Sequence, residues 1–444
     1  MSGFHRAVAR GAAVARRHGY RLCVSGAVLL LAGCALGYMD VMQKVDQDLA
    51  AQQPEAALKA LDSLQGGKDQ VLYLLNKAMV QRMAGDYAGS VLTFEQAKPL
   101  MLYLEATSVT EMAAALTLSE NLRAYQGPLY ERLLLHVYQG LNFLQMGQPD
   151  GARVEAVQID DLLKRLYPNG DAAPDGGDAF PRYFSGLVYE SLGEYSDAMI
   201  AYRQAYQAYK AEGYADAVIP ADLKLSLCRF SDYLGLNDER DKYKAAFGID
   251  TWPPVMKPAT QGQLVFLFSD GLGPQKVAET LLLPNPVNGH YYSVSLPSLR
   301  RRPPAVSDAL ITVAGADART EQVADISADA AKQLDADRPK LLAAEFSRNV
   351  ARELAAEKMD RNSPGLGSVV SLLASVADQA DTRIWGTLPD NIQLARFILP
   401  PGTYDVKVQL QGAYGRPGAT RVFKDISVQA GQISFASLQW ASFN

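Results

Sequence analysis

The chain has 444 residues with 43 lysines and arginines against 48 acidic residues, which gives a formal net charge of −5 at pH 7. This acidic balance argues against nucleic acid and anionic lipid headgroups as electrostatic partners, because both carry negative charge. Three cysteines and four histidines without metal-ligand spacing also provide too few ligands for a zinc or haem site, so we expect no metal and no cofactor.

The first element is a predicted lipoprotein signal peptide over residues 1–33. Five arginines precede or begin an apolar run, Leu22 to Ala32, that ends in Leu31-Ala32-Gly33-Cys34. The run is too short for a bilayer span, which takes about 20 residues, but it suits a secretory signal. The stretch resembles a lipobox, which implies cleavage between Gly33 and Cys34 and acylation of Cys34. An uncleaved signal anchor and an ordinary signal with a chance cysteine remain alternatives.

Cleavage would change the charge, the cysteine content and the location of the protein. The lost segment contains five arginines and no acid, so the net charge would fall from −5 to −10. Cys228 would be the single free thiol, which excludes an intramolecular disulfide, and its apolar neighbours predict a buried, inert side chain. Ala35 follows the predicted acylated cysteine, at the position where an aspartate usually signals retention in the inner membrane. We therefore expect sorting to the outer membrane, facing the periplasm. Residues 34–40 would form only a short tether.

Residues 41–247 show helical periodicity, and Phe180 to Lys210 is the clearest unit. Gly186 and Tyr189 lie on its first predicted helix, Gly193-Glu194-Tyr195 makes a turn, and Ala198, Tyr202 and Ala205 lie on the second. This pattern resembles a tetratricopeptide repeat (TPR), in which small residues allow two helices to approach closely. The resemblance implies an all-α solenoid. A plain helical bundle is the alternative.

Two weaker copies surround Gly85-Asp86-Tyr87 and Gly147, and Asp46 to Leu64 reads as a degenerate opening hairpin. Their spacing is not a multiple of the roughly 34-residue repeat, so extra helix is expected, with Ala106 to Tyr125 as a candidate.

The first helices of the repeats predict a mostly apolar groove that suits a peptide segment of another envelope protein. The alternative is that later residues, such as Ala215 to Leu234, fill the groove. The predicted lining residues are Leu75, Met79, Arg82, Val137, Leu141, Leu144, Tyr183, Leu187 and Glu190.

The stretch Gly248 to Pro258 breaks the helical pattern, and residues 259–444 change to short β-branched or aromatic runs separated by glycine and proline. We predict a β-sandwich-like domain, hence an α + β multidomain chain, with a helical insertion over residues 324–381 that packs on the sheet through Leu341, Leu342, Phe346 and Val350. The predicted strands are Gln263 to Phe268, Tyr291 to Leu296, Ala309 to Val313, Ile392 to Leu399, Tyr404 to Leu410, Thr420 to Val428 and Ile433 to Gln439.

The segment Asp381 to Pro389 is the most distinctive part of this domain. Asp381 is expected to pair with Arg383 or Arg396, and Trp385 to act as a packing body that docks the helical insertion on the sheet. The functional alternative is an exposed recognition surface with tryptophan and arginine as anchors.

Sequence motifs for catalysis are missing. His136 and His290 lie in different predicted domains, and no nucleophile elbow, Walker loop or dinucleotide fingerprint occurs. His136 is expected to be an interhelical contact. The acid pairs Asp325/Asp329 and Asp378/Asp381 are predicted to be solvated helix-surface charges. We therefore predict that the protein is not an enzyme.

Taken together, the chain resembles uncharacterised proteobacterial TPR lipoproteins. The resemblance rests on Tyr130 to Glu155, Tyr183 to Tyr206, Gly262 to Val277 and Ala380 to Pro401, and it implies this architecture without assigning an activity. A lipid-anchored protein–protein adaptor is the first functional hypothesis, with peptidoglycan synthases, secretion or pilus machinery and outer-membrane assembly factors as candidate clients. The alternative is a peptidoglycan- or polysaccharide-binding module without catalysis of its own.

Overall fold

The computed structural model of the protein describes residues 37–115, 124–255, 260–284, 291–362, 380–412 and 415–443. In its N-terminal part, the described chain forms short 3-10 turns and ten α-helices: α1 (Gly37–Ala50), α2 (Pro54–Leu61), α3 (Gln70–Met83), α4 (Tyr87–Ala115), α5 (Leu129–Gln145), α6 (Pro149–Leu166), α7 (Ala179–Ser191), α8 (Tyr195–Ala211), α9 (Ala221–Tyr233) and α10 (Asn237–Phe247).

Strands dominate the C-terminal part. The described elements there are β1 (Gly262–Asp270), β2 (Gln275–Pro284), β3 (Tyr291–Arg300), β4 (Val306–Val313), β5 (Ala316–Arg319), β6 (Glu321–Asp325), α11 (Ile326–Asn362), β7 (Asn391–Leu399), β8 (Gly402–Gly412), β9 (Arg416–Val428) and β10 (Ile433–Trp440).

The helices pack as successive hairpins, α1/α2, α3/α4, α5/α6, α7/α8 and α9/α10. In α7/α8, a Cβ added at Gly186 would lie 2.4 Å from a ring carbon of Tyr202, so only glycine permits this close approach. Gly193 has a φ of 78° and ends the first helix before the turn. The three predicted repeats correspond to α3/α4, α5/α6 and α7/α8, which confirms the helical, TPR-like character of the N-terminal region.

Two details of the helical prediction need correction. The extra helix predicted over Ala106 to Tyr125 is not a separate helix in its described part, because residues 106–115 continue α4 and Tyr125 lies in a loop; residues 116–123 lie outside the described residues. The first hairpin also starts earlier than Asp46, since α1 begins at Gly37. Part of the predicted tether, residues 37–40, is therefore helical.

The C-terminal strands form two four-stranded sheets and a separate two-stranded ribbon. The inner sheet has the order β10-β1-β7-β6, with β1 parallel to β10 and antiparallel to β7. The outer sheet has the order β5-β4-β8-β9, and β2 and β3 form the ribbon. All seven predicted strands occur within these elements. Strands β2, β5 and β6 were not predicted. Strands β5 and β6 have only four and five residues, and in β2 the charged residues Lys276 and Glu279 interrupt the apolar pattern.

The inner sheet is buried on both sides. On β1, Leu264, Phe266 and Phe268 pack with the outer sheet, whereas Val265 and Leu267 belong to the core formed with the helices. A strand covered on both faces needs a continuous apolar run instead of an alternating one, which accounts for the Gln263 to Phe268 sequence. The helices, the inner sheet and the outer sheet thus form three successive layers.

The described part of the helical insertion is helix α11, which starts after β6 and packs along β3. Ala324, predicted as its first residue, is in β6 instead, and residues 363–379 of the predicted insertion lie outside the described residues. All four predicted packing residues, Leu341, Leu342, Phe346 and Val350, are half-buried. In the described part of the chain, no helix combines the length and apolar character that a membrane crossing requires.

Candidate functional site

The predicted groove is covered by the inner sheet of the same chain. The hydroxyl of Tyr138 on α5 lies 3.2 Å from Ser269 Oγ on β1, and Gln145 Nε2 donates to Ser437 Oγ on β10 at 3.0 Å. This arrangement corrects the expectation of an open groove: the C-terminal sheet, and not the segment Ala215 to Leu234, occupies it. All the predicted lining residues are buried, namely Leu75, Met79, Arg82, Val137, Leu141, Leu144, Tyr183, Leu187 and Glu190.

The charged groove residues bind partners within the protein. Arg82 on α3 donates to Asn142 Oδ1 on α5 at 2.5 Å and also to Ser437 Oγ on β10. Its guanidinium lies 5.7 Å from the ring centre of Tyr138, a cation–π distance. Arg82 therefore fixes β10 between two helices and does not face an external ligand.

Glu190 on α7 lies at the centre of a buried charge cluster. It accepts hydrogen bonds from Arg229 on α9 at 2.7 Å, from Arg396 on β7 at 3.0 Å and from the Tyr202 hydroxyl at 2.6 Å. Arg396 Nε also lies 2.8 Å from Asp222 Oδ1 on α9. Burial alone would raise the pKa of Glu190, but the two arginines outweigh it and lower that pKa to about 2. Of the two partners expected for Asp381, Arg396 is therefore not the one that binds it.

The segment around Trp385 docks on the helical hairpins. Asp381 pairs with Arg383, as predicted, with Oδ2 at 2.8 Å from Nη2, and Arg383 Nη1 also reaches Asp69 Oδ1, just before α3, at 2.9 Å. Trp385 is fully buried, with its ring centre 5.9 Å from that of Phe94 on α4. The segment thus joins the C-terminal region to the helices, instead of docking the helical insertion on the sheet as predicted, and it is not an exposed recognition surface.

A buried glutamate that sequence reasoning missed supports this segment. Glu131 on α5 accepts hydrogen bonds from the Trp385 backbone N–H at 3.0 Å, the Tyr125 hydroxyl at 2.6 Å and the Tyr130 hydroxyl at 3.2 Å. Burial is the main cause that raises its pKa. The available signal was an acidic residue in the first turn of an apolar helix, close in sequence to Tyr125 and Tyr130.

The first helix is docked on the C-terminal region as well. Tyr38 donates to the Ile384 carbonyl at 2.7 Å, and Asp46 Oδ2 lies 2.6 Å from Arg302 Nη1. Arg302 also donates to the carbonyl oxygens of Gly273 and Gly386, at 2.6 Å and 2.9 Å. These contacts hold α1 at a fixed position on the folded body, and the N-terminal segment joins the body there. Gly33 and Cys34, the predicted cleavage and lipidation residues, lie outside the described residues.

Another buried carboxylate lies at the end of β1. Asp270 is fully buried, and its backbone carbonyl accepts from the N–H of Asp390, whose carboxylate is paired with Arg301. Burial and the neighbouring Asp390 raise the pKa of Asp270 to about 8. Burial thus favours the protonated form of Asp270 in the folded protein at neutral pH.

We expect Asp270→Asn to stabilise the protein at alkaline pH. Between about pH 4 and pH 8 the folded state holds a proton that the unfolded state has released, so the free energy of unfolding falls as pH rises through this window. At pH 8.5 the variant should exceed the parent by about 2–4 kcal/mol, and near pH 4 the two should be equal. Urea unfolding at both pH values measures the difference. Asp250→Asn, at an aspartate side chain 82% exposed, is the control and should show no such trend.

A cavity of about 360 Å³ opens between α4, α5 and α6, on the side away from the inner sheet. Leu102 and His136 are among its lining residues. Glu105 and Arg132 also line it and form an ion pair at 2.7 Å. His136 Nδ1 lies 2.7 Å from Glu155 Oε2, so this histidine contacts α6 from α5, as expected of an interhelical residue.

The remaining candidates for chemistry have structural roles. Burial raises the pKa of the Cys228 thiol to about 11, so the reactive thiolate is scarce. The predicted solvated state of Asp329 is wrong, because Asp329 is buried where α11 meets the helices. Asp325 pairs with Arg301, and Asp378 lies outside the described residues. In the described ranges, no group of three or more potential ligands is placed to hold a metal ion.

No protein-family model and no curated protein matches the chain in sequence. Several solved structures are similar to about half of it. A tetratricopeptide repeat protein from Parabacteroides merdae is 12% identical over 48% of this chain and 65% of that one, with a TM-score of 0.31. A MamA protein is 16% identical over 48% of this chain and 97% of that one, with a TM-score of 0.29. PilW, described as a widely conserved type IV pilus biogenesis factor, is 13% identical over 53% of this chain and 89% of that one, with a TM-score of 0.30. The helical hairpins are defined by the packing of successive helices against each other.

Proposed function

We propose that the protein is a lipid-anchored scaffold of the bacterial cell envelope, which binds partner proteins on the outer side of its helical hairpins. The observation that carries this proposal is the filled groove. Because the inner sheet covers the first helices of the hairpins, the second helices, α4, α6 and α8, present the accessible helical surface. A partner bound by the helices must therefore use that surface.

The outer surface of these helices carries exposed apolar side chains. Leu92 and Leu102 on α4 are 66% and 57% exposed, and Val154 on α6 and Ile200 on α8 are exposed as well. We call these four residues the outer patch. Leu102 also borders the cavity between α4 and α6. Exposed leucine beside a cavity suits an apolar segment of another protein better than a glycan, which needs polar and aromatic contacts.

The buried carboxylates support a structural role. Glu131 and Glu190 are bound in contacts between the helices and the C-terminal region. Such contacts leave these groups no access to a substrate, so we propose a scaffold without catalysis of its own.

The anchor is Cys34, and the proposed membrane is the outer membrane. The folded body begins close to Cys34, since only Ala35 and Leu36 separate that residue from α1 in sequence. Partners at that membrane, or soluble in the periplasm, are therefore within reach of the outer patch.

Site-specific photo-crosslinking of the full-length chain in its native cells tests this function. A photoreactive residue in place of Leu102 should give a discrete protein adduct in the outer-membrane fraction. The same residue in place of Val422, which is 52% exposed on β9, is the control and should not. With Cys34→Ser, the protein should leave the membrane fraction and the adduct should be lost.

Two outcomes would contradict the scaffold proposal. Equal adducts at Leu102 and Val422 would mean that the outer patch is not selective. No adduct at Leu102, together with sedimentation of the purified protein with peptidoglycan, would instead favour a glycan-binding module.

A further inference from the structure

Another cavity, of about 300 Å³, lies where the helical hairpins meet the C-terminal region. The loop before α5, the ribbon of β2 and β3, helix α11 and the segment Asp381 to Ile384 all contribute to its wall. Its volume is at the lower end of the range for small-molecule sites, which occur preferentially at junctions between domains. None of its lining residues belongs to the outer patch, so a ligand here and a protein partner there would not compete for the same side chains.

Part of the cavity wall is apolar. Leu299 on β3 lines the cavity from the ribbon, and Ala330 and Leu334 line it from α11. These two α11 residues are four positions apart, so they lie on the same face of the helix. Ile384 contributes a further apolar side chain. This wall suits an apolar group of a ligand.

Lys276 on β2 places a cation at the cavity. This lysine is half-buried, and in the described part of the chain it forms neither an ion pair nor a hydrogen bond. Arg383, the other cation among the lining residues, is by contrast bound to Asp381 and Asp69. All three N–H groups of Lys276 are therefore available to a ligand, and a carboxylate is the acceptor that an ammonium binds most strongly.

Carboxylates line the same cavity. Burial is the main influence on the pKa of Glu131 and raises it, whereas the charge of Lys276 acts in the opposite direction. Asp337 on α11 is 39% exposed, and it accepts from Gln333 Nε2 at 3.2 Å and from Lys340 Nζ at 3.5 Å. Because a carboxylate has about four acceptor positions, Asp337 can accept further hydrogen bonds from a ligand.

These charges determine which class of ligand fits. A simple anion would meet Lys276 but also the negative charges of Glu131 and Asp337, which repel it. A simple cation would leave Lys276 without a partner. A neutral apolar molecule would remove both charged groups from water without replacing their hydrogen bonds. A zwitterion provides an acceptor for Lys276 and a donor for Asp337 at the same time.

We propose that this cavity binds a free amino acid with a branched or aromatic apolar side chain. The carboxylate of the ligand binds Lys276, its ammonium binds Asp337, and its side chain packs against Leu299 and Leu334. Glu131 stays bound to its own donors and contributes only its charge. The ligand touches both the ribbon and α11, and because it binds the folded state alone, it should raise the melting temperature of the protein.

Isothermal titration calorimetry of the full-length chain in detergent tests the proposal, with L-leucine and L-phenylalanine as probes. At least one of them should bind with a Kd below about 1 mM. Its analogue without the ammonium and its analogue without the carboxylate should each bind about tenfold more weakly or worse. These analogues are isocaproate and isopentylamine for leucine, and hydrocinnamate and phenethylamine for phenylalanine. No binding of either amino acid at about 10 mM, or equal binding of an amino acid and its analogues, would overturn the proposal.

Two matched pairs of variants assign the binding groups. Lys276→Met should weaken binding of the amino acid about tenfold or more, whereas Lys407→Met, at an exposed lysine on β8, should leave it unchanged. Asp337→Asn should also weaken binding, whereas Asp335→Asn, at an aspartate side chain 74% exposed on the same helix, should not. Unchanged circular dichroism and an unchanged melting temperature without ligand would show that the variants are folded.

The analogues give the lysine variant a second readout. In Lys276→Met the amino acid should lose its advantage over the amine analogue, because the missing contact is the one to the carboxylate, but it should keep its advantage over the carboxylate analogue. Equal binding by the parent and Lys276→Met, or equal loss in Lys276→Met and Lys407→Met, would contradict the assigned site.

Discussion

Replacing Trp385 with alanine is expected to lower the free energy of unfolding by about 3–5 kcal/mol, the range for a large aromatic removed from a packed core. Trp385 lies between the C-terminal region and the hairpins, against Phe94, and its indole N–H donates to Thr387 Oγ1 at 3.1 Å. The neighbouring side chains belong to separate elements of both regions, so they cannot easily collapse into the space. Urea unfolding followed by circular dichroism measures the loss.

Trp252 offers a matched control. It is half-buried in the segment after α10, and its indole N–H makes only a long contact, 3.3 Å, with Asp232. Trp252→Ala should lower the free energy of unfolding by less than half as much as Trp385→Ala does. Equal losses for the two variants would show that the Trp385 segment does not hold the helices and the C-terminal region together.

Arg396→Met is expected to destabilise the protein by about 3–5 kcal/mol, because it leaves buried carboxylates without their cation. Glu190 would retain Arg229, whereas Asp222 would lose its ion-pair partner. Arg203→Met is the control. Its partner is Glu239, both side chains are more than a quarter exposed, and the loss should stay below about 1 kcal/mol.

The pH dependence gives this prediction a second readout. The pKa of Glu190 is about 2 in the folded protein, below its value in the unfolded chain. Its ionised form therefore contributes stability above about pH 4.5, and this contribution is lost as pH falls towards 2. In Arg396→Met, protonation of Glu190 should begin at higher pH, so the acid unfolding midpoint should rise. An unchanged midpoint together with a small loss at neutral pH would rule out the central role of Arg396.

The interior of the hairpins was largely predictable. Gly186, Tyr189 and Tyr202 have the spacing of a close helix pair, and the structure places them in α7 and α8 with the glycine against the tyrosine ring. The β1 run was likewise recognised as a strand from its apolar residues. Both features are local, since neighbouring residues and short turns decide them.

The contacts of the buried charges were not predictable in the same way. Arg396 was one of two candidate partners of Asp381, fifteen residues before it, but it binds Glu190, which is 206 residues away in sequence. Asp270 and Glu131 stand next to apolar runs in the sequence, where no motif singles them out. Their burial depends on what the rest of the chain places over them, which no single segment specifies.

By itself, the sequence determined the lipobox-like start, the helix pairs and the strands, because apolar periodicity and turn residues act over a few positions. For the apolar side of the repeat helices it left two occupants open, a segment of another protein or later residues of the same chain. Only the tertiary structure decided that the cover is the chain's own inner sheet, and hence that the accessible helical surface is the outer patch. The physical reason is that apolar burial is non-directional: it requires a cover without specifying which surface provides it.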